Sequence, residues 1–199
     1  MSIVDAGLNR REKVSSLSSW LARFVMKILG WQLVGEPPDV PKYVLIAAPH
    51  TSNWDFLIML ALDLAFKVEC VWMGKDSLFR GPLGPFYRRM GGIPIDRNSR
   101  SSVVEQTGSE KMVMAIPPEG TRRRTGRWKT GFYYIALGAN VPLVFGFIDF
   151  KHKATGFGPM LMPSGDIEAD MVIIRDFYKD IEGKSPENFG DITVVAKKP

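Results

Sequence analysis

Residues Tyr43–Gly74 read YVLIAAPHTSNWDFLIMLALDLAFKVECVWMG. YVLIAA reads as a strand, SNWDFLIMLALDLAF as a helix and KVECVWMG as a second strand. Strand–helix–strand order marks a parallel pair joined by a helical crossover, because parallel strands cannot be joined by a tight turn. The polar turn at the first seam, PHTSNWD, holds one of the chain's two histidines, His50, with Asp55 five positions on.

Outward from this unit, the segment SSLSSWLARFVMKILGW places Leu17, Trp20, Leu21, Phe24, Val25, Ile28 and Leu29 at helical spacing, and Gly30 is a natural stop. Two readings stay open for it: a helix packed on the core, or an interfacial helix whose Trp20, Phe24 and Trp31 sit among Arg10, Arg11, Lys13, Arg23 and Lys27. Downstream, a short helix is expected around Phe86–Met90 and another over Ser101–Ser109. A strand follows at KMVMAI, then the loop PPEGTRRRTGRW and a helix near Lys129–Gly138. VPLVFGFIDF and ATGFGPMLM flank KHK as a hairpin. An amphipathic helix, DIEADMVIIRDFYKDI, starts from an Asp166 cap, and DITVVA reads as a last short strand. The expected fold is α/β: a three-layer domain with a mixed, partly parallel central sheet flanked by helices, preceded by an N-terminal amphipathic helix. Residues 1–35 form the amphipathic segment and residues 36–199 a single domain.

Composition narrows the function classes. The chain has 199 residues, 45% of them apolar and 24% charged, which suits one folded domain and argues against disorder. Its one cysteine, Cys70, precludes an internal disulfide and a multi-cysteine zinc site, and sits in an apolar run as a buried structural thiol. A reducing compartment follows. The net charge of +5 makes nucleic acid, anionic lipid and phosphorylated small molecules all admissible partners. No apolar run reaches the ~18 residues of a membrane-spanning helix, and the polar N-terminus does not suit a secretory signal.

Ligands of open α/β sheets gather beyond the carboxyl ends of strands. Three polar clusters are expected there: PHTSNWD, GGIPIDR and PPEGTRRR. Residues five apart on a regular helix are turned by about 140° and raised by about 7.5 Å. His50 and Asp55 therefore meet only if His50 lies in the turn and Asp55 in the helix's first or second turn, with Thr51 or Ser52 as the cap. A carboxylate on imidazole Nδ1 fixes the tautomer and leaves Nε2 as a general base. By itself such a pair is more often a structural hydrogen bond than a catalytic one. No further His or Cys lies near enough in sequence to complete a metal site, so none is expected. Arg97 can clamp a phosphate, or can be one half of a surface salt bridge. In PPEGTRRR, Gly120 admits a close ligand, Thr121 offers a hydroxyl, Arg122 supplies charge and Glu119 is a carboxylate among them.

In this order and at these separations, the clusters resemble the glycerolipid acyltransferase family, which includes bacterial 1-acylglycerol-3-phosphate acyltransferase. His-x4-Asp is matched by His50 and Asp55, and Gly-x-Ile-Pro-Ile-Asp-Arg by Gly91 to Arg97. Glu-Gly-Thr-Arg is matched by Glu119 to Arg122, and the last block by Val141–Pro142–Leu143–Val144, with Phe145 where a proline is usual. The resemblance implies that His50 is the general base, Asp55 its orienting partner, and Arg97, Glu119, Gly120, Thr121 and Arg122 the binding site for the acceptor's polar head. It implies an O-acyltransferase that moves a fatty acyl group from acyl-CoA or acyl-carrier protein to a lysophospholipid hydroxyl, with no cofactor beyond that donor. It also favours a membrane surface with anionic lipid as partner, on the inner, cytoplasmic side, for the N-terminal helix. A non-catalytic lipid-binding module is the alternative, and the paired His50 and Asp55 speak against it. A nucleic-acid-binding protein would account for TRRRTGRWK but not for that pair.

Overall fold

The computed structural model describes residues 14–95 and 111–194. Seven strands form one sheet: β1 (Gln32–Val34), β2 (Lys42–Ala48), β3 (Cys70–Lys75), β4 (Gly92–Ile95), β5 (Met112–Ile116), β6 (Leu143–Asp149) and β7 (Ala154–Leu161). Their spatial order is β1-β7-β6-β2-β5-β3-β4, with every pairing parallel except β6 with β7. The helices are α1 (Ser16–Ile28), α2 (Trp54–Phe66), α3 (Asp76–Arg80), α4 (Gly84–Arg89), α5 (Gly131–Ala139) and α6 (Ile167–Tyr178). The expected mixed sheet, the KHK hairpin and the N-terminal helix are all present.

The apolar run at the head of the fold is unbroken because β2 is covered on both faces. Val44, Ile46 and Ala48 pack towards Phe132, Tyr133 and Ala136 of α5 and Met171, Ile174 and Tyr178 of α6. Tyr43 and Leu45, one residue out of phase, join Leu62 of α2 in a second cluster. Period-two alternation therefore feeds two separate apolar layers, as a parallel strand between helices requires. At the end of α2, Lys67 adopts a left-handed conformation (φ 56°). The buried Asp63 carboxylate then accepts the Cys70 N–H at 2.6 Å, turning the chain into β3.

Several elements depart from the sequence expectations. β2 and β3 are parallel members of one sheet but not neighbours, because β5 inserts between them and pairs with both. The cap of α2 is Asn53, whose side chain makes no capping hydrogen bond, instead of Thr51 or Ser52. Asp166 does cap α6, accepting from Glu168 N and Ala169 N at 3.1 Å. Residues 191–194 form no strand. Their backbone instead braces a loop, with Trp128 N donating to Thr193 O at 2.7 Å. β1 was not anticipated; three residues at a sheet edge carry too little pattern to read. The helix expected over Ser101–Ser109 lies outside the described residues.

α1 resolves the choice between core and surface by having both faces. Ser19, Ala22 and Met26 are buried, with the Ser19 hydroxyl donating to Ala65 O of α2 at 2.8 Å. Arg23 turns inward too, its guanidinium 4.8 Å from the centre of the Phe66 ring. The opposite face leaves Leu17, Trp20, Leu21, Phe24, Val25 and Ile28 exposed, with Trp20 and Phe24 stacked at 5.3 Å. Among the described residues no helix is long and apolar enough to cross a membrane.

Candidate active site

Because β2, β5 and β6 run parallel, their carboxyl ends open on one edge of the sheet. Ile46 is in register with Ile116 on one side and Phe145 on the other. The turn after β2 therefore emerges beside the loop after β5, bringing His50 next to Glu119 although 69 residues separate them.

His50 Nδ1 lies 3.2 Å from Asp55 Oδ2, with the imidazole side chain 26% exposed and the carboxylate 4%. The turn-into-helix geometry required by the spacing is the one present. Asp55 is more than a partner for the ring. Its Oδ2 also accepts the Thr51 and Ser52 N–H groups at 2.7 and 2.8 Å, and its Oδ1 accepts the Ser52 hydroxyl at 2.9 Å. Burial pushes this carboxyl up, but the bond to His50 and those from Ser52 outweigh it, so its pKa is lowered and it stays ionised. An ionised carboxylate on Nδ1 fixes the tautomer in which Nε2 is the basic nitrogen, and supports the imidazolium once a proton arrives.

Glu119 sits beneath the same turn. Its side chain is buried and its Oε1 accepts the His50 N–H at 2.9 Å. Its Oε2 is buried with no hydrogen-bond partner. Burial raises its pKa to about 6, against the lowering effect of the bond from His50. Tyr178 lies on the inner side, its hydroxyl donating to Gly146 O at 2.8 Å. Burial, and next the Glu119 charge, hold this phenol un-ionised. Thr51, Ser52 and His50 thus have their N–H groups engaged, and the Gly120 N–H is bonded to Pro117 O at 3.1 Å. None of these four amides is free to stabilise an oxyanion.

The rest of the Glu-Gly-Thr-Arg turn faces outward. Gly120 has φ +62°, a left-handed conformation that suits glycine. The Thr121 hydroxyl accepts the Arg123 N–H at 3.2 Å. The Arg122 guanidinium donates to Asn53 Oδ1, tying this turn to the cap of α2. Arg97 lies outside the described residues.

Further residues had no separate signal in the sequence. Residues 182–194 run across the supporting loops. Ser185 N donates to Thr51 Oγ1 at 3.3 Å, the Thr193 hydroxyl to Gly126 O at 2.9 Å and Arg175 Nε to Ile192 O at 2.9 Å. Lys184 Nζ sits 4.7 Å over the exposed ring of Trp54, the first residue of α2. A second His–Asp pair, His152 Nδ1 to Asp149 Oδ2 at 2.7 Å, closes the β6–β7 turn. It is shorter than the His50 pair, so pairing alone does not single out a catalytic histidine. His50 differs from His152 in having a buried carboxylate, Glu119, beneath its backbone N–H. Among the described residues no group of three or more His, Cys, Asp or Glu side chains could hold a metal ion.

A family model described as "Acyltransferase" matches residues 34–145, more than half of the chain, a span that includes His50, Asp55 and Glu119 to Arg122. Among solved structures, the chain is similar to the 1-acyl-sn-glycerophosphate (LPA) acyltransferase PlsC from Thermotoga maritima. The TM-score is 0.56 at 19% identity, covering 83% of this chain and 80% of that one. At that identity the likeness speaks for the fold. A comparison with curated protein sequences gives no match.

Proposed function

The chain belongs to the acyltransferase family, and from that premise we propose that it moves a fatty acyl group from an acyl thioester to the hydroxyl of a lysophospholipid such as 1-acylglycerol-3-phosphate. The observation that carries the reading is the His50–Asp55 pair at 3.2 Å, with Asp55 held ionised and His50 seated on Glu119. His50 Nε2 takes the proton of the acceptor hydroxyl as the oxygen attacks the thioester carbonyl. The tetrahedral intermediate then collapses, the carbon–sulfur bond breaks, and the imidazolium returns the proton to the leaving thiolate. The products are an ester and a free thiol, and no acyl-enzyme is needed. Asp55 orients the ring and balances its charge, while Glu119 acts through the His50 backbone as a positioning residue. Gly120, Thr121 and Arg122, with Arg97, receive the acceptor's anionic head.

The donor is acyl-CoA or acyl-carrier protein. Both are cytoplasmic, so the protein would work as a peripheral protein on the inner face of the membrane. The test is a panel of lysolipids against both donors, read by lipid mass spectrometry. A new diacyl product from lysophosphatidate is expected, and no ester from any pair would refute the reading.

Membrane attachment follows from the outer face of α1. Burying an exposed Trp or Phe contributes about 1.5–3 kcal/mol, so Trp20→Gln/Phe24→Gln should weaken binding to anionic liposomes by at least about tenfold. Because both rings are exposed, the melting temperature should stay within a few degrees of the parent. Unchanged co-sedimentation with liposomes would show that this face serves another partner.

A further inference from the structure

The helix that carries Asp55 begins without a side-chain cap. Its first turn is held from outside instead, by a distant stretch of chain, residues 183–185. Gly183 is buried. A Cβ there would meet Thr51 Oγ1 at 2.6 Å, Thr51 Cγ2 at 2.8 Å and Pro49 Cβ at 3.2 Å, so glycine lets this backbone press on both neighbours of His50. The Ser185 N–H donates to Thr51 Oγ1 at 3.3 Å. Between them Lys184 is exposed, yet its Nζ lies 4.7 Å from the centre of the Trp54 ring and 5.6 Å from that of Phe150. Among the described residues it has no carboxylate partner, and two ring faces take that place.

The contacts to Pro49, Thr51 and Trp54 bracket the His50–Asp55 pair. The far end of the segment is tied to other elements. Phe150 N donates to Glu182 O at 2.8 Å, and Lys151 Nζ meets Glu182 Oε2 at 3.5 Å. The Phe150 ring meets Trp31, just after α1, edge-on at 5.0 Å. The segment therefore hangs from the β6–β7 turn and rests on the catalytic turn. Thr51 N already donates to Asp55 Oδ2 at 2.7 Å. Whatever shifts Thr51 or Trp54 thus shifts the carboxylate against the imidazole, and reacting groups tolerate displacements of only about 1 Å.

We propose that residues 183–185 latch the catalytic turn, with Lys184 as a positioning residue that holds the first turn of α2 and so keeps Asp55 on His50. The latch rests on the acyl-transfer reading for its catalytic consequence, and it adds residues that none of the sequence motifs contains.

Two measurements test it on the full chain. Amide hydrogen exchange, read by NMR, needs no substrate. In Lys184→Met the Thr51 and Ser52 amides should exchange about threefold or more faster, while those within α6 keep the parent's rates. Equal exchange at Thr51 and Ser52, or faster exchange throughout α6 as well, would overturn the latch. In steady-state kinetics Lys184→Met should lower kcat about three- to tenfold with KM within about twofold. Lys184→Arg should recover to within about twofold of the parent, because a guanidinium also stacks on ring faces. Lys184→Met/Trp54→Leu should fall no further than the worse single variant, since both remove one contact. An unchanged kcat in Lys184→Met, no recovery with arginine, or losses that multiply in the double variant would each remove Lys184 from the mechanism. If no substrate pair turns over even in the parent, the acyl-transfer reading fails, while the exchange rates still decide whether the latch holds the turn.

Discussion

His50→Ala should lower acyl transfer by about 10²- to 10⁴-fold, the range a positioned general base supplies, and leave the protein as stable as its parent. The stability half of this expectation comes from the geometry. The imidazole is a quarter exposed and its side-chain partner is Asp55, whereas the bond that holds the turn is made by the His50 backbone N–H, which alanine keeps. Asp55→Ala should behave differently. Its carboxylate gathers the Thr51 and Ser52 amides as well as the ring, so its loss leaves the Thr51 amide buried without an acceptor, at a cost of about 1–3 kcal/mol, in addition to the catalytic defect. Turnover assays paired with urea unfolding separate the two. Near-parental turnover by His50→Ala would remove the base from the mechanism, and equal stability of the two variants would deny Asp55 its second role.

A pH-dependent effect on stability belongs to Glu119. Its pKa is raised to about 6 in the fold from an ordinary 4.5, so between those values the folded protein keeps a proton that the unfolded chain has released. Stability therefore falls as pH rises through this window, and the loss is complete above it. The difference corresponds to about 2 kcal/mol. Asp55 is shifted the other way, and its contribution is lost only as pH falls below the ordinary carboxyl range. Glu119→Gln cannot titrate. Its stability relative to the parent should thus improve by about 2 kcal/mol between pH 4 and pH 7.5, read from urea unfolding at both. A difference independent of pH would mean that Glu119 titrates normally. For activity the useful contrast is Glu119→Ala, which strips the His50 amide of its acceptor and frees the turn. A loss of about 10²-fold is expected from misplacing the base, with Gln restoring most of it because its carbonyl can accept the same N–H.

What was legible in the sequence is what local pattern encodes. The apolar run Tyr43–Ala48, the five-residue step from His50 to Asp55, the Asp166 cap and the hairpin around Lys151–Lys153 depend on neighbours along the chain, and each took the expected form. What was hidden depends on partners far away. Nothing near β2 states that β5 will slide between it and β3, and nothing in Glu-Gly-Thr-Arg states that the first residue faces in while the fourth faces out. That division follows from β2 and β5 ending side by side, which places Glu119 under an amide 69 positions earlier.

The bracing of the site by residues 182–194 has a consequence for the order in which the protein is made. Translation delivers β2, His50 and Asp55 early, Glu119 midway, and the residues that hold Thr51, Gly126 and Trp128 in place much later. At Gly190 the fit is so close that a Cβ would come within 1.8 Å of Thr125 O, so this stretch docks on a loop that must already be shaped to receive it. A nascent chain still attached to the ribosome within α6 has every motif of the site and none of these braces. Competence therefore waits for residues 182–194 rather than growing with each motif made, and a chain stalled or clipped before residue 193 would keep the chemistry-bearing side chains without the frame that aligns them.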